Sequence, residues 1–133
     1  MTTRNKFFQS ILGVLLFAPI LASAQPDFTP MINAIQNGSA STLSNYFDKS
    51  VEITVLDKDD QYDKASATRV VTDFFNSNKP SACSIVHKGV SDDKTSYYAI
   101  GSLSAGTKTF RVYIYVKNNG SQYLIQELRF EKG

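Results

Sequence analysis

Between Lys64 and Asn76, apolar residues fall at Ala67, Val70, Val71, Phe74 and Phe75. This i, i+3, i+4, i+7, i+8 spacing gathers them onto one side of an α-helix. No other segment constrains the fold as tightly. Two adjacent phenylalanines at the end of the stripe need a flat apolar surface laid over them. The segments that follow have the two-residue alternation of β-strands. Asp63 stands where it can cap the helix, and Asn78-Lys79-Pro80 stops it. The chain is therefore expected to press this helix onto a sheet.

Four downstream segments read as strands: Ala82 to Lys88, Tyr97 to Leu103, Thr109 to Lys117 and Gln122 to Glu131. The connections between them are short, so neighbours should run antiparallel. Asn119-Gly120 is the strongest hairpin signal, because both residues tolerate positive φ. Upstream, Thr29-Pro30 reads as a helix cap followed by proline in the first turn, and Asn37-Gly38 as the end of that helix. A second helix, capped by Ser39 or Ser41, carries Ala40, Leu43, Tyr46 and Phe47 on its apolar side. Val51 to Leu56 reads as a strand, with Val51, Ile53 and Val55 facing inward. The acidic stretch from Asp57 to Asp63 turns the chain, with Gln61-Tyr62 as a strand stub. The fold class is α+β: N-terminal helices packed on a curved antiparallel sheet of four to six strands.

The first 24 residues are expected to lie outside that domain. Arg4 and Lys6 form a basic head, Ile11 to Ala18 an apolar run, and Ala22-Ser23-Ala24 a small-residue ending. This is the layout of a secretory signal peptide cleaved after Ala24. The apolar run is too short for a membrane span and Pro19 follows it. Gln25 stands where a lipoprotein would need cysteine. The expected working protein spans residues 25 to 133, is periplasmic or secreted, and does not insert into the membrane. The chain has 14 basic and 12 acidic residues, and two of the basic ones lie in the leader. The domain is thus formally neutral, which excludes the basic field that nucleic-acid binding requires.

Cys83 is the only cysteine and His87 the only histidine, so no internal disulfide or zinc cluster can form. Cys83 reads as a buried small apolar residue. On an unbroken strand Cys83, Ile85 and His87 would share a face, with Cys83 and His87 about 13 Å apart, too far to share a metal ion. No phosphate-binding loop, dinucleotide fingerprint or nucleophile elbow appears, so no cofactor is expected. Asn37-Gly38-Ser39 and Asn119-Gly120-Ser121 match the glycosylation sequon but serve equally as turns.

A helix pair running into Tyr46-Phe47-Asp48, then Val51-Glu52-Ile53, a helix and a meander, resembles the NTF2-like, cystatin-like cone superfamily. Gly38 to Ile53, Val86-His87-Lys88-Gly89, Tyr98-Ala99-Ile100-Gly101, Phe110-Arg111-Val112-Tyr113 and Gln126-Glu127-Leu128-Arg129 are similar to a family of small secreted bacterial proteins of unassigned function. The resemblance implies a sheet wrapped around the third helix, a pocket at the open end, and in many members a homodimer formed through the sheet face. Isomerase-like members place a carboxylate base with a tyrosine donor in the pocket, and dehydratase-like members use histidine with Asp and Tyr. The first helix here has no tyrosine. Asp48 and Glu127 fit a base only by residue type.

Five ligand-binding candidates follow: Tyr62, His87, Tyr113, Gln126 and Glu127. No catalytic set can be assembled from them at a known spacing. On the third meander strand Phe110, Val112, Ile114 and Val116 alternate with Arg111, Tyr113, Tyr115 and Lys117, so one face is aliphatic and the other amphipathic and aromatic, suited either to a partner or to cross-strand tyrosine packing on a solvated sheet. On the last strand Leu124, Leu128 and Phe130 are expected to face the core and Tyr123, Ile125, Glu127 and Arg129 the other side, with Gln126 either a pocket residue or a bulge position. A bulge at Gln126 would exchange them. The leading reading is a non-catalytic envelope module that binds a small ligand or another protein. A small isomerase- or dehydratase-type enzyme using His87, Tyr62 or Glu127, and a purely structural dimerisation module, are the alternatives.

Overall fold

The computed structural model describes residues 25–133. The expected signal peptide and its cleavage point after Ala24 lie outside the described residues. Helix α1 (Thr29–Gln36) has Pro30 in its first turn. Phe28, not Thr29, occupies the cap position, because Asp27 Oδ1 accepts the Thr29 N–H at 3.0 Å and draws Thr29 into the helix. Gly38, at φ +65°, closes the helix in the left-handed conformation. Helix α2 (Ala40–Ser44) is capped by the Ser39 side chain.

Phe47 belongs to a strand rather than to the second helix. Strand β1 (Phe47–Val55) begins four residues earlier than the sequence suggests. Ile125 N–H donates to Tyr46 O at 2.6 Å and Phe47 pairs with Ile125, so the last strand captures the chain as soon as α2 ends. The acidic stretch is more than a turn. It forms β2 (Lys58–Asp63), paired along its length with β1. Leu56, in the connecting turn, has φ +56°, a conformation costing a branched L-residue roughly 1–2 kcal/mol. Helix α3 (Lys64–Ser77) then starts under the Asp63 cap, whose Oδ1 accepts the Ser66 N–H at 2.7 Å.

Strands β3 (Ala82–Val90), β4 (Ser96–Ala105), β5 (Lys108–Asn118) and β6 (Tyr123–Lys132) form the meander. The order across the sheet is β2-β1-β6-β5-β4-β3. Every pairing is antiparallel except β1 with β6, which is parallel. Helices lie on one face of this curved, unclosed, six-stranded sheet. In the β5–β6 loop only Gly120 takes positive φ. Asn119 instead turns its side chain inward to accept the Gln122 N–H at 3.0 Å.

The α3 stripe meets the aliphatic face of β5 and β6 as the sequence requires. The Phe74 ring stacks on Phe130 with centroids 4.3 Å apart and meets Phe110 edge-on at 5.1 Å. Phe75 meets Phe130 edge-on at 5.8 Å. These rings fill the interior between helix and sheet.

Two bulges redirect the meander. In β3, Ile85 pairs with Gly101 and His87 with Ile100, leaving Val86 as an extra residue. His87 is therefore turned to the outer face, away from Cys83 and Ile85, and the shared face expected of an unbroken strand does not exist. In β6, Tyr115 pairs with Glu127 and Val116 with Ile125, leaving Gln126 as the extra residue. Ile125 is fully buried as a result, together with Leu128 and Phe130. The outward assignment of Ile125 is overturned by that single insertion, and of the two places open to Gln126 it takes the bulge.

Candidate functional site

The outer face of the sheet, opposite the helices, carries a continuous run of interacting side chains. His87 Nε2 lies 3.2 Å from the Tyr98 hydroxyl. The Tyr98 and Tyr113 rings stack at 5.8 Å with an interplanar angle of 25°. The Arg129 guanidinium sits 5.4 Å from the Tyr113 centroid, a cation–π placement. Arg129 also forms an ion pair with Glu127 and reaches Glu131 at 3.7 Å. Glu127 pairs across the parallel ladder with Glu52. The run crosses β3, β4, β5, β6 and β1.

Strand geometry explains the alignment. Tyr98 pairs with Tyr115 and Tyr113 with Arg129 and Ile100, so each ring has a neighbour one strand away on the same face. Gly89, opposite Tyr98, has no side chain, and the Tyr98 ring lies in the space a Cβ would need. Beside His87 an open groove of about 510 Å³ runs past Ile100, Ser102 and Arg111.

The charges on this face interact. Burial raises the Glu52 pKa, and the facing Glu127 and Asp59 carboxylates raise it further. Burial, then Glu127, raises that of the Tyr113 phenol. Burial works against the charge on Arg129, but Glu127 and Glu131 outweigh it and hold the guanidinium protonated.

The five sequence candidates fall in three places. His87, Tyr113 and Glu127 belong to the outer run. Gln126 lies at the β6 bulge, where its amide donates to Asp48 Oδ2 at 2.7 Å. That bond, with the Lys49 N–H, lowers the Asp48 pKa. Tyr62 pairs with Val51, a fully buried residue, and lines a cleft of about 300 Å³ with Val70 and Phe74, on the helix side of the sheet. His87, Tyr62 and Glu127 therefore do not converge on one pocket. Tyr98, Arg129, Glu52 and Gly89 complete the outer run, although the sequence reading did not choose them. The alternation of Tyr98, Ile100 and Ser102 with buried Ala99, Gly101 and Leu103 is the signal that points to Tyr98.

No group of three or more His, Cys, Asp or Glu side chains is placed to hold a metal ion among the described residues. No helix among them is long and apolar enough to cross a membrane.

A family model described as "Domain of unknown function (DUF4783)" matches residues 28–131. The chain belongs to the DUF4783 family. A solved DUF4783 protein from Bacteroides ovatus is 32% identical, with 83% of this chain and 98% of that chain covered and a TM-score of 0.76. A second, from Bacteroides uniformis, is 26% identical over 79% of this chain and 95% of that one, with a TM-score of 0.73. An NTF2-like protein of unknown function from Shewanella baltica is 9% identical, with 80% and 87% covered and a TM-score of 0.60, which shows the fold alone. No curated protein matches the chain. This DUF4783 domain thus has the NTF2-like architecture that its helix pair and meander suggest.

Proposed function

We propose that this DUF4783 protein is an exported, non-catalytic interaction module that pairs with a second copy of itself through the outer sheet face. The observation that carries this reading is the run from His87 through Tyr98, Tyr113 and Arg129 to Glu127. Aromatic rings and arginine are the residue types enriched where protein surfaces meet.

Charge supports self-pairing. Glu52, Asp59, Glu127 and Glu131 gather toward β2, β1 and β6, whereas Arg111 and Lys117 lie on β5 and His87 on β3. A twofold axis near Tyr113 would set the acidic half of one copy over the basic half of the other, the self-complementary arrangement of an isologous dimer. The Phe74, Phe75, Phe110 and Phe130 rings occupy the interior between α3 and the sheet, beside the cleft that Tyr62 lines. Export rests on the leader sequence, with its basic head, apolar run and Ala22-Ser23-Ala24 ending.

Native mass spectrometry of the protein purified from its own cell envelope tests both parts. The expected species is a dimer of chains that begin at Gln25. A chain retaining its first 24 residues overturns export, and a monomer at micromolar concentration overturns self-pairing.

A further inference from the structure

At the end of the domain where β1, β6 and α3 finish and β5 begins, a cleft of about 840 Å³ opens between Leu56, Asn78, Phe110 and Lys132. Its volume lies in the range of small-molecule sites. We infer that this cleft binds an aliphatic-chain carboxylate, with the chain lying over Leu56 and Phe110 and the head group held by lysines at the rim. The inference concerns a different part of the molecule from the outer sheet face and stands independently of self-pairing there.

Three observations converge on it. First, Leu56 holds its side chain in the opening at 47% exposure, one of three large apolar residues so exposed among the described residues. It does so from a left-handed backbone conformation that glycine or asparagine would adopt with less strain. Strained residues of this kind cluster at ligand sites. Second, the opening has an apolar floor: the Phe110 ring is packed on Phe74 beneath it.

Third, Lys108 and Lys132 line the cleft, and Lys58 and Lys79 line the two smaller clefts that adjoin it at Ser77 and Asn78. All four are exposed, and none forms an ion pair within 4 Å among the described residues. Asp57 and Asp73 offset part of this charge. Glu131, the remaining acid at the rim, is turned to Arg129 at 3.7 Å. An apolar floor beneath unpaired ammonium groups complements a molecule with an apolar chain and an anionic end. Long lysine stems can cover the chain while their charged ends stay in water.

The test is a titration of the isotopically labelled chain with dodecanoate below its aggregation concentration, followed by amide NMR shifts. The expected result is saturable one-to-one binding, with shifts at Leu56, Asn78 and Thr109 and little change at Tyr98 or Tyr113. The Lys108→Glu/Lys132→Glu double variant should bind at least tenfold more weakly. Leu56→Gly keeps the turn, because glycine accepts its φ, and should weaken binding severalfold. Tyr113→Ala should bind as the parent does, which separates this result from any failure of the outer face. Dodecyltrimethylammonium and acetate should not shift these amides.

Four outcomes overturn the proposal: equal binding of the cationic amphiphile, tighter binding of dodecyl phosphate, unchanged affinity in the double variant, or no saturable shift.

Discussion

Gly89 and Tyr98 share one volume: the tyrosine ring lies flat over the glycine, in the space a Cβ would occupy. The contact holds the ring where His87 can bond its hydroxyl and Tyr113 can stack on it. Glycine inside a strand is ordinarily a weakness, and alanine there is usually stabilising. Here the sign should reverse. Gly89→Ala is expected to destabilise the fold by about 1–3 kcal/mol, the usual cost of overpacking, and to displace the Tyr98 ring resonances. Urea unfolding with NMR of the aromatic region checks both.

Phe130 carries the interior, with Phe74 stacked on it and Phe75 edge-on. Phe130→Ala should cost about 3–5 kcal/mol, because the rings around it are held by α3 and cannot collapse into the space. Phe130→Leu should recover part of that. Chemical denaturation of the three proteins gives the ranking.

Gln126 has two separable roles. Gln126→Ala removes a hydrogen bond to the half-buried Asp48 carboxylate and should cost about 1 kcal/mol. Deleting the residue removes the bulge but keeps each β5–β6 partner, with Glu127 still outward opposite Tyr115 and Ile125 still inward opposite Val116. Both variants should therefore fold, as circular dichroism would show, and the deletion variant should lose the local kink of β6 as well as the Asp48 bond.

Carboxylates with lowered and with raised pKa should move stability with pH in opposite directions. Hydrogen bonds from Ser91 and Thr95 lower the Asp93 pKa to about 2, and the Ser66 N–H lowers that of Asp63. These groups stabilise the fold above the ordinary carboxylate range, and their contribution fades as pH falls toward about 2. Asp93→Asn should flatten that acid limb. The raised pKa of Glu52 has the opposite sign: its contribution is present at low pH and disappears as pH rises through the folded value. Glu52→Gln should thus raise the melting temperature at neutral pH and lose the advantage in acid. Melting curves between pH 2 and 8 check both signs.

Burial alone pushes the Cys83 thiol up to about 11. The folded protein should react slowly with a disulfide reagent at pH 8 and rapidly once unfolded. A fast native reaction would place Cys83 outside the core.

The α3 stripe and the alternation of β5 were legible because both are periodic over more than one repeat. Their burial follows the sequence from Ala67 to Phe75, with Val70 only partly buried, and residue by residue from Phe110 to Val116. The site was less legible because bulges control it. One extra residue at Val86 carried His87 to the outer face, and one at Gln126 moved Ile125 inward. Bulges leave little trace in composition and are fixed by pairing with a neighbouring strand. Phe47 posed the same difficulty: its helical neighbours favour one assignment, and Ile125, far along the chain, imposes another. Tyr98 and Arg129 become partners of Tyr113 only once the register of three strands is known.

The single parallel pairing has a consequence for how the chain comes into being. Asp48 and Gln126, tied by a hydrogen bond, are 78 positions apart. The β1–β2 hairpin has no sheet to join until β6 exists. A growing chain must therefore hold two of its six strands in waiting until β6 has been synthesised. Loss of β6 would leave two strands with nothing to lie against, and a protease would find that hairpin first.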